Sequence, residues 1–229
     1  MAQRKKTTKK QDDVLIDLTE VTGQAEDFFQ KYQKQIMIVA GTLVAVLGGY
    51  LGYTYLYKLP KQKEAVEQMA QAEWQFQRDS FNLALVNPGG GFPGFADIVK
   101  KYGGTDAANA ALYYAGVSCL NMGQYDAAIS YLEDYSASGK MLPIMKNGAL
   151  GDAWSEKGDL EKALSYYDKA ASNGDNEILT PYYLKKLAML SEKQGNKEQA
   201  LDAWKKIQEA YPTSPEMKDA EKHIILLGQ

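Results

Sequence analysis

Residue types that do chemistry are scarce in this chain, and their surroundings decide what each could do. The one histidine, His223, stands between Lys222 and Ile224 in a predicted helix and reads as a surface side chain. The one cysteine, Cys119, lies in an apolar stretch with no histidine near it in sequence, so it reads as packing; alone, it can form no internal disulfide. Carboxylates such as Asp159 and Glu161 open a predicted helix, where the macrodipole favours negative charge. Gly89, Gly91 and Gly94 in "NPGGGFPGF" match the spacing G-x-G-x-x-G. A helix precedes that loop, no βαβ unit follows, and Pro93 removes an amide that a phosphate would need, so a dinucleotide site is rejected. No Walker motif, zinc-ligand spacing or G-x-S-x-G is present. The residues predict no catalytic site, no metal and no cofactor.

Function must then reside in how the chain is positioned and what it binds. Residues 36 to 57, "IMIVAGTLVAVLGGYLGYTYLY", run 22 residues without one Asp, Glu, Lys or Arg. As a helix this is about 33 Å long, against a hydrocarbon core of about 30 Å. It has no polar face, 35 residues precede it, and "KLPK" after it offers no small-residue cleavage site, so an uncleaved transmembrane anchor is expected. Gly41, Ala45, Gly48 and Gly52 recur at spacings 4, 3, 4 and would give the anchor a small-residue packing face for another membrane helix. Tyr53, Tyr55 and Tyr57 read as an interfacial belt.

The tail, 1 to 35, carries seven basic residues: Arg4, Lys5, Lys6, Lys9, Lys10, Lys31 and Lys34. Counted over the whole short tail they favour a cytoplasmic N-terminus with residues 58 to 229 outside; counted only near the span they decide nothing. Val14, Leu18, Val21, Ala25, Phe28 and Tyr32 form an apolar stripe at helical spacing opposite an acidic face. The stripe suits a protein partner, whereas Gly23 in mid-stripe suits a solvated linker, and both readings stand. Residues 58 to 229 hold 19 basic and 23 acidic residues, a balance that argues against nucleic acid.

Three stretches align beyond the anchor: "NAALYYAGVSCLNMGQYDAAISYLEDY" from 109, "IMKNGALGDAWSEKGDLEKALSYYDKA" from 144 and "PYYLKKLAMLSEKQGNKEQALDAWKKI" from 181. Each has Gly (Gly123, Gly158, Gly195), then Ala five residues on (Ala128, Ala163, Ala200), then a large apolar residue (Leu132, Tyr167, Trp204). Each reads as helix, tight turn, helix. A long helix over about 61 to 86 and a short one over 95 to 102 precede them. After them, Ser214-Pro215-Glu216 is expected to cap a last helix with Met217, Ala220, Ile224 and Leu227 on one face. Thr180-Pro181 is expected to open the third repeat in the same way.

The pattern resembles the tetratricopeptide repeat, most fully in the second unit: Leu150-Gly151, Trp154, Ala163 and Tyr167. The fold expected is all-α: a single N-terminal transmembrane helix followed by a tetratricopeptide-repeat-like α-solenoid. Its segments are 1–35 tail, 36–57 transmembrane helix, 58–108 leading helix and atypical hairpin, 109–213 three repeats, and 214–229 capping helix. The resemblance implies a groove lined by the first helices, displaying Tyr113, Val117, Met145, Asp152, Tyr182, Lys185 and Met189. Tyr113 and Val117 stand where chaperone-tail clamps carry Lys and Asn, so an acidic chaperone terminus is not the ligand expected.

Tail, single span and degenerate repeat array together resemble the YfgM-like bacterial proteins. That resemblance implies an inner-membrane protein with a periplasmic C-terminal domain, partnered by the SecYEG translocon and the membrane-anchored chaperone PpiD. Emerging exported chains are further partners that it implies. The alternatives from the residues alone are a cytoplasm-facing scaffold or receptor, or a cell-envelope assembly factor.

Overall fold

A computed structural model describes residues 18–228, with side chains from residue 28 onward except residue 29. The chain divides into two units, Met1–Tyr57 and Lys58–Gln229. In the first, α1 (Leu18–Gly52) leads into a π-helical turn over Tyr53–Lys58. Its helical run carries an 18-residue window of mean hydropathy 1.9 with none of it buried, long and apolar enough to cross a membrane. The Thr42 hydroxyl inside this stretch donates back to the Ile38 carbonyl at 2.8 Å, which satisfies it without water. Ideal Cβ atoms at Gly41, Gly48 and Gly52 would meet nothing within 4 Å, and Ala45 is exposed. The small-residue face therefore touches nothing among the described residues. Of the tail stripe, Val14 lies outside the described residues, and Leu18, Val21 and Ala25 are placed in backbone only. Phe28 and Tyr32, one turn apart, bring their rings to 4.8 Å.

The second unit begins with α2 (Leu59–Phe76), α3 (Phe81–Val86) and α4 (Phe95–Lys101). The sequence periodicity predicts one helix across 61 to 86, and the chain instead breaks after Phe76. Asp79 turns the backbone at φ 56°. The break lets Phe76 sit 5.4 Å from Phe81 and 5.0 Å from Tyr114, which itself stacks on Phe95 at 5.0 Å. Aromatic pairs of this kind gain about 0.5–1.5 kcal/mol each beyond area, which favours the break. Leu83, which an unbroken helix would put in register with Met69, Ala72 and Phe76, is 46% exposed.

Three hairpins follow: α5 (Asp106–Asn121) with α6 (Tyr125–Asp134), α7 (Leu142–Glu156) with α8 (Leu160–Ser172), and α9 (Leu179–Lys193) with α10 (Lys197–Ala210). Gly123, Gly158 and Gly195 end the first helices at φ 72°, 80° and 78°, a conformation that costs a residue with a Cβ. Asp159 and Asn196 then cap the second helices, accepting from the Lys162 and Gln199 amides at 3.2 Å. Lys146 reaches back to the end of α6, donating to the Glu133 and Tyr135 carbonyls at 3.1 and 2.6 Å. Helix α11 (Met217–Leu227) closes the array.

Close approach within and between hairpins is set by missing Cβ atoms. A Cβ at Gly116 would stand 2.6 Å from Leu132 Cγ, and one at Gly151 would stand 2.5 Å from Tyr167 Cδ1. One at Gly148 would stand 1.9 Å from Tyr183 Cζ, so the α9 ring occupies the space where an α7 side chain would be. The buried residues form two clusters, one from Ala65 to Ala153 and one from Ile144 to Ala220, and Trp154 packs on both.

Two helix starts differ from expectation. The α11 helix begins at Met217 with no side-chain cap, and the Ser214 hydroxyl is buried without a hydrogen-bond partner. At α9 the cap position is Ile178, with no side-chain cap bond, and the amides are met from the preceding turn by Asn176, whose Oδ1 accepts from Ile178 and Leu179 at 3.0 and 2.8 Å. Thr180 Oγ1 braces that turn, accepting from the Asn176 amide at 3.1 Å and donating to the Gly174 carbonyl at 3.0 Å.

His223 is not the plain surface side chain expected. Its ring stacks on Trp204 at 4.7 Å, and its Nδ1 lies 2.8 Å from Glu192 Oε1. The same carboxylate oxygen accepts the Trp204 indole N–H at 2.5 Å, so one Glu holds α9, α10 and α11 together.

Gly148→Ala should destabilise the fold by about 1–3 kcal/mol through overpacking against Tyr183, read as an earlier urea midpoint by circular dichroism. In a Tyr183→Ala background the same change should cost less, because the clash is gone and Ala is the better helix former by about 1 kcal/mol. Equal costs in both backgrounds would contradict the ring-in-glycine contact. His223→Ala should cost about 1–2 kcal/mol from the lost stack and hydrogen bond and red-shift Trp204 emission; an unchanged midpoint would show that the clamp is idle.

Candidate protein-binding groove

The first helices of the three hairpins, α5, α7 and α9, present side chains to two adjoining depressions of about 400 and 470 Å³. The depressions share Ser155, Tyr167 and Lys186 and together form one groove. Leu120 and Asn121 line it from α5, and Asp152, Ser155 and Glu156 from α7. Tyr182, Lys185, Met189 and Leu190 line it from α9, with Glu216 at the entry to α11.

A polar network fixes the floor. Asp152 Oδ1 accepts from the Tyr167 hydroxyl at 2.7 Å and from Lys186 Nζ at 2.6 Å. Lys186 also lies over the Tyr182 ring, with Nζ 4.9 Å from its centroid. Burial works to lower the Lys186 pKa, but the hydrogen bond and charge of Asp152 outweigh it and the net shift is upward. The Tyr167 and Tyr183 hydroxyls are pushed up, first by burial and then by the Asp152 charge. Lys186 is thus held charged and both phenols neutral, and the lysine and the Tyr167 hydroxyl both donate to the Asp152 carboxylate. The neighbouring Lys185 points the other way along the array and pairs with Asp219 of α11. Two adjacent lysines therefore tie α9 backward to α7 and forward to the cap.

The residues expected to line the groove divide into two sets. Asp152, Tyr182, Lys185 and Met189 line it. Tyr182 and Met189 are the most open of these, 42% and 51% exposed. Asp152 and Lys185 are engaged in ion pairs within the chain. Tyr113, Val117 and Met145 are half-buried and line neither depression. Tyr113 packs on Tyr135 at 5.3 Å, and burial, then the Tyr135 and Tyr114 hydroxyls, push its own up to about 12. It packs against the first core cluster.

Lys186 and Glu216 are the groove residues that sequence reasoning missed. Lys186 stands one place on from the repeat register that marked Lys185, and its only signal was a charge inside an apolar first helix. Glu216 was read as part of a cap. Elsewhere, Cys119 is buried and burial raises its thiol, as its core position predicts. Among the described residues no group of three or more His, Cys, Asp or Glu could hold a metal ion. A further hollow of about 340 Å³ faces the start of α5. The amides there are already taken, Ala107 by Gln62 Oε1 at 3.0 Å and Ala108 by Thr105 Oγ1 at 3.1 Å.

The tetratricopeptide-repeat family model matches residues 110–137 and 186–214. The first segment runs from α5 through α6 and the second from α9 through α10. No curated protein matches the chain. The chain carries tetratricopeptide repeats in an all-α array that follows one long apolar helix, an architecture suited to protein–protein interaction.

Proposed function

We propose that this is a membrane-anchored, non-enzymatic repeat protein whose groove holds protein segments outside the cytoplasm, at the exit of the protein-export channel. The observation that carries the reading is the groove itself. Tyr182 and Met189 are open, adaptable apolar groups, set on a floor that the Asp152–Lys186 pair and the stacked Tyr167 and Tyr183 rings hold rigid. A preorganised wall of this kind lowers the ordering cost of binding an extended segment. The apolar helix supplies the anchor, and the seven basic residues of the tail support a cytoplasmic N-terminus. The resemblance to YfgM-like proteins supports the SecYEG translocon and a PpiD-like chaperone as neighbours, with emerging chains as cargo.

Two outcomes are expected. Protease added to spheroplasts should digest residues 58 to 229; protection there, with digestion only in inverted vesicles, would place the domain inside and overturn the export reading. Tyr182→Ala and Met189→Ala in the full chain should each weaken co-purification of SecYEG or the chaperone at least tenfold, about 1.4 kcal/mol. Lys205→Ala, at an exposed position of α10, should leave it unchanged. Recovery equal to the parent in both groove variants would place the interaction elsewhere.

A further inference from the structure

The charges around the groove are unequally satisfied. Lys186 is neutralised by Asp152 and Lys185 by Asp219. Glu216 is left over. It lines the groove where the chain turns into α11, and its Oε2 is buried without a hydrogen-bond partner. It occupies the cap position of α11 yet makes no side-chain capping bond, so the helix start does not account for it. The Ser214 hydroxyl, two residues earlier in the same turn, is buried and unbonded as well. Glu156, at the other end of the shared lining, receives only the Tyr125 hydroxyl at 3.4 Å. No ion pair among the described residues reaches either glutamate. Buried polar groups almost always find partners, and a charged one left without is costly. Glu216 as a residue stays partly exposed where it lines the groove, so a carboxylate with no ion-pair partner stands beside an open apolar wall, the arrangement expected where the partner comes from outside.

Deepening the reading of the groove as a protein-binding site, and resting on it, we infer that the occupant is an extended polypeptide segment carrying Lys or Arg beside a large apolar side chain. The cationic head meets Glu216. The apolar neighbour lies on Tyr182, Met189 and Leu190, which form the wall of the same depression. Both groove lysines are already committed to carboxylates of the chain, so acidic segments and anionic headgroups find no free cation here. Complementary charge then selects among segments that the apolar wall alone would accept alike.

The test uses the full chain in detergent micelles and three labelled nine-residue peptides with a central Leu-X-Phe, where X is Lys, norleucine or Glu. Fluorescence anisotropy at low salt should give the Lys peptide at least tenfold tighter binding than the Glu peptide, with norleucine between them. Glu216→Gln, a change of charge with almost no change of shape, should bring the Lys and Glu peptides within twofold of each other. Glu216→Lys should reverse the order, and Tyr182→Ala should weaken all three. Circular dichroism spectra matching the parent establish that each variant is folded. A Lys preference that survives Glu216→Gln, or a Glu peptide that binds the parent as tightly as the Lys peptide, overturns the charge assignment. If Tyr182→Ala still weakens binding in that case, the groove reading stands. If no peptide binds, or Tyr182→Ala is silent, the assignment and the groove reading fall together.

Discussion

Helix α7 carries no Cβ at two places where rings must pass, and the geometry of the groove depends on that absence. Tyr167 of α8 fills the space over Gly151 and Tyr183 of α9 fills the space over Gly148. The two rings lie 6.4 Å apart at 24°, so the junction between the second and third hairpins is a pair of parallel phenols seated in glycine notches. Any side chain at either position would push a neighbouring helix outward by more than the tolerance of a close-packed interior. With the helices this near, Asp152 of α7 can reach both the Tyr167 hydroxyl and Lys186 of α9. Packing therefore comes first, and the polar network is its consequence.

That order explains how a groove with two lysines can offer so little free positive charge. Ion pairs at partly exposed sites contribute little stability on their own. Their effect here is to orient. Lys186 is drawn back over the tyrosine rings and Lys185 forward to α11, which leaves Tyr182 and Met189 as the open surface between them. The cap is fastened by a different device, the Glu192 carboxylate shared by Trp204 and His223. Glu216 sits at the joint between these two arrangements and is used by neither.

The repeat architecture was legible because its signals are local and periodic. A turn glycine, an alanine five places on and a large apolar residue four beyond that recur in three stretches, and each corresponds to a hairpin with a left-handed glycine at its turn. The apolar run was legible from length and charge alone. What escaped were features set by neighbours distant in sequence. The break after Phe76 exists because Phe76 must meet Phe81, Phe95 and Tyr114, and no window within 61 to 86 contains the last two. Tyr113 shares the register of Lys185 but is drawn against the first core cluster and onto Tyr135. Gly148 occupies the same register in the second repeat and shows nothing in sequence of the ring that fills it. His223 looked solvated because the two partners that hold it lie 19 and 31 residues away.

The central claim, that protein segments bind across Tyr182 and Met189, is tested most directly by hydroxyl-radical footprinting of the full chain with and without an unfolded exported polypeptide. Met189 and Met141 are almost equally open, 51% and 50% exposed, so Met141, outside the groove, is an internal reference for the chemistry. The account predicts that oxidation of Met189 and Tyr182 falls on addition of the polypeptide while that of Met141 does not. Unchanged oxidation at Met189 and Tyr182 under saturating polypeptide, with protection elsewhere on the repeat unit, would contradict it.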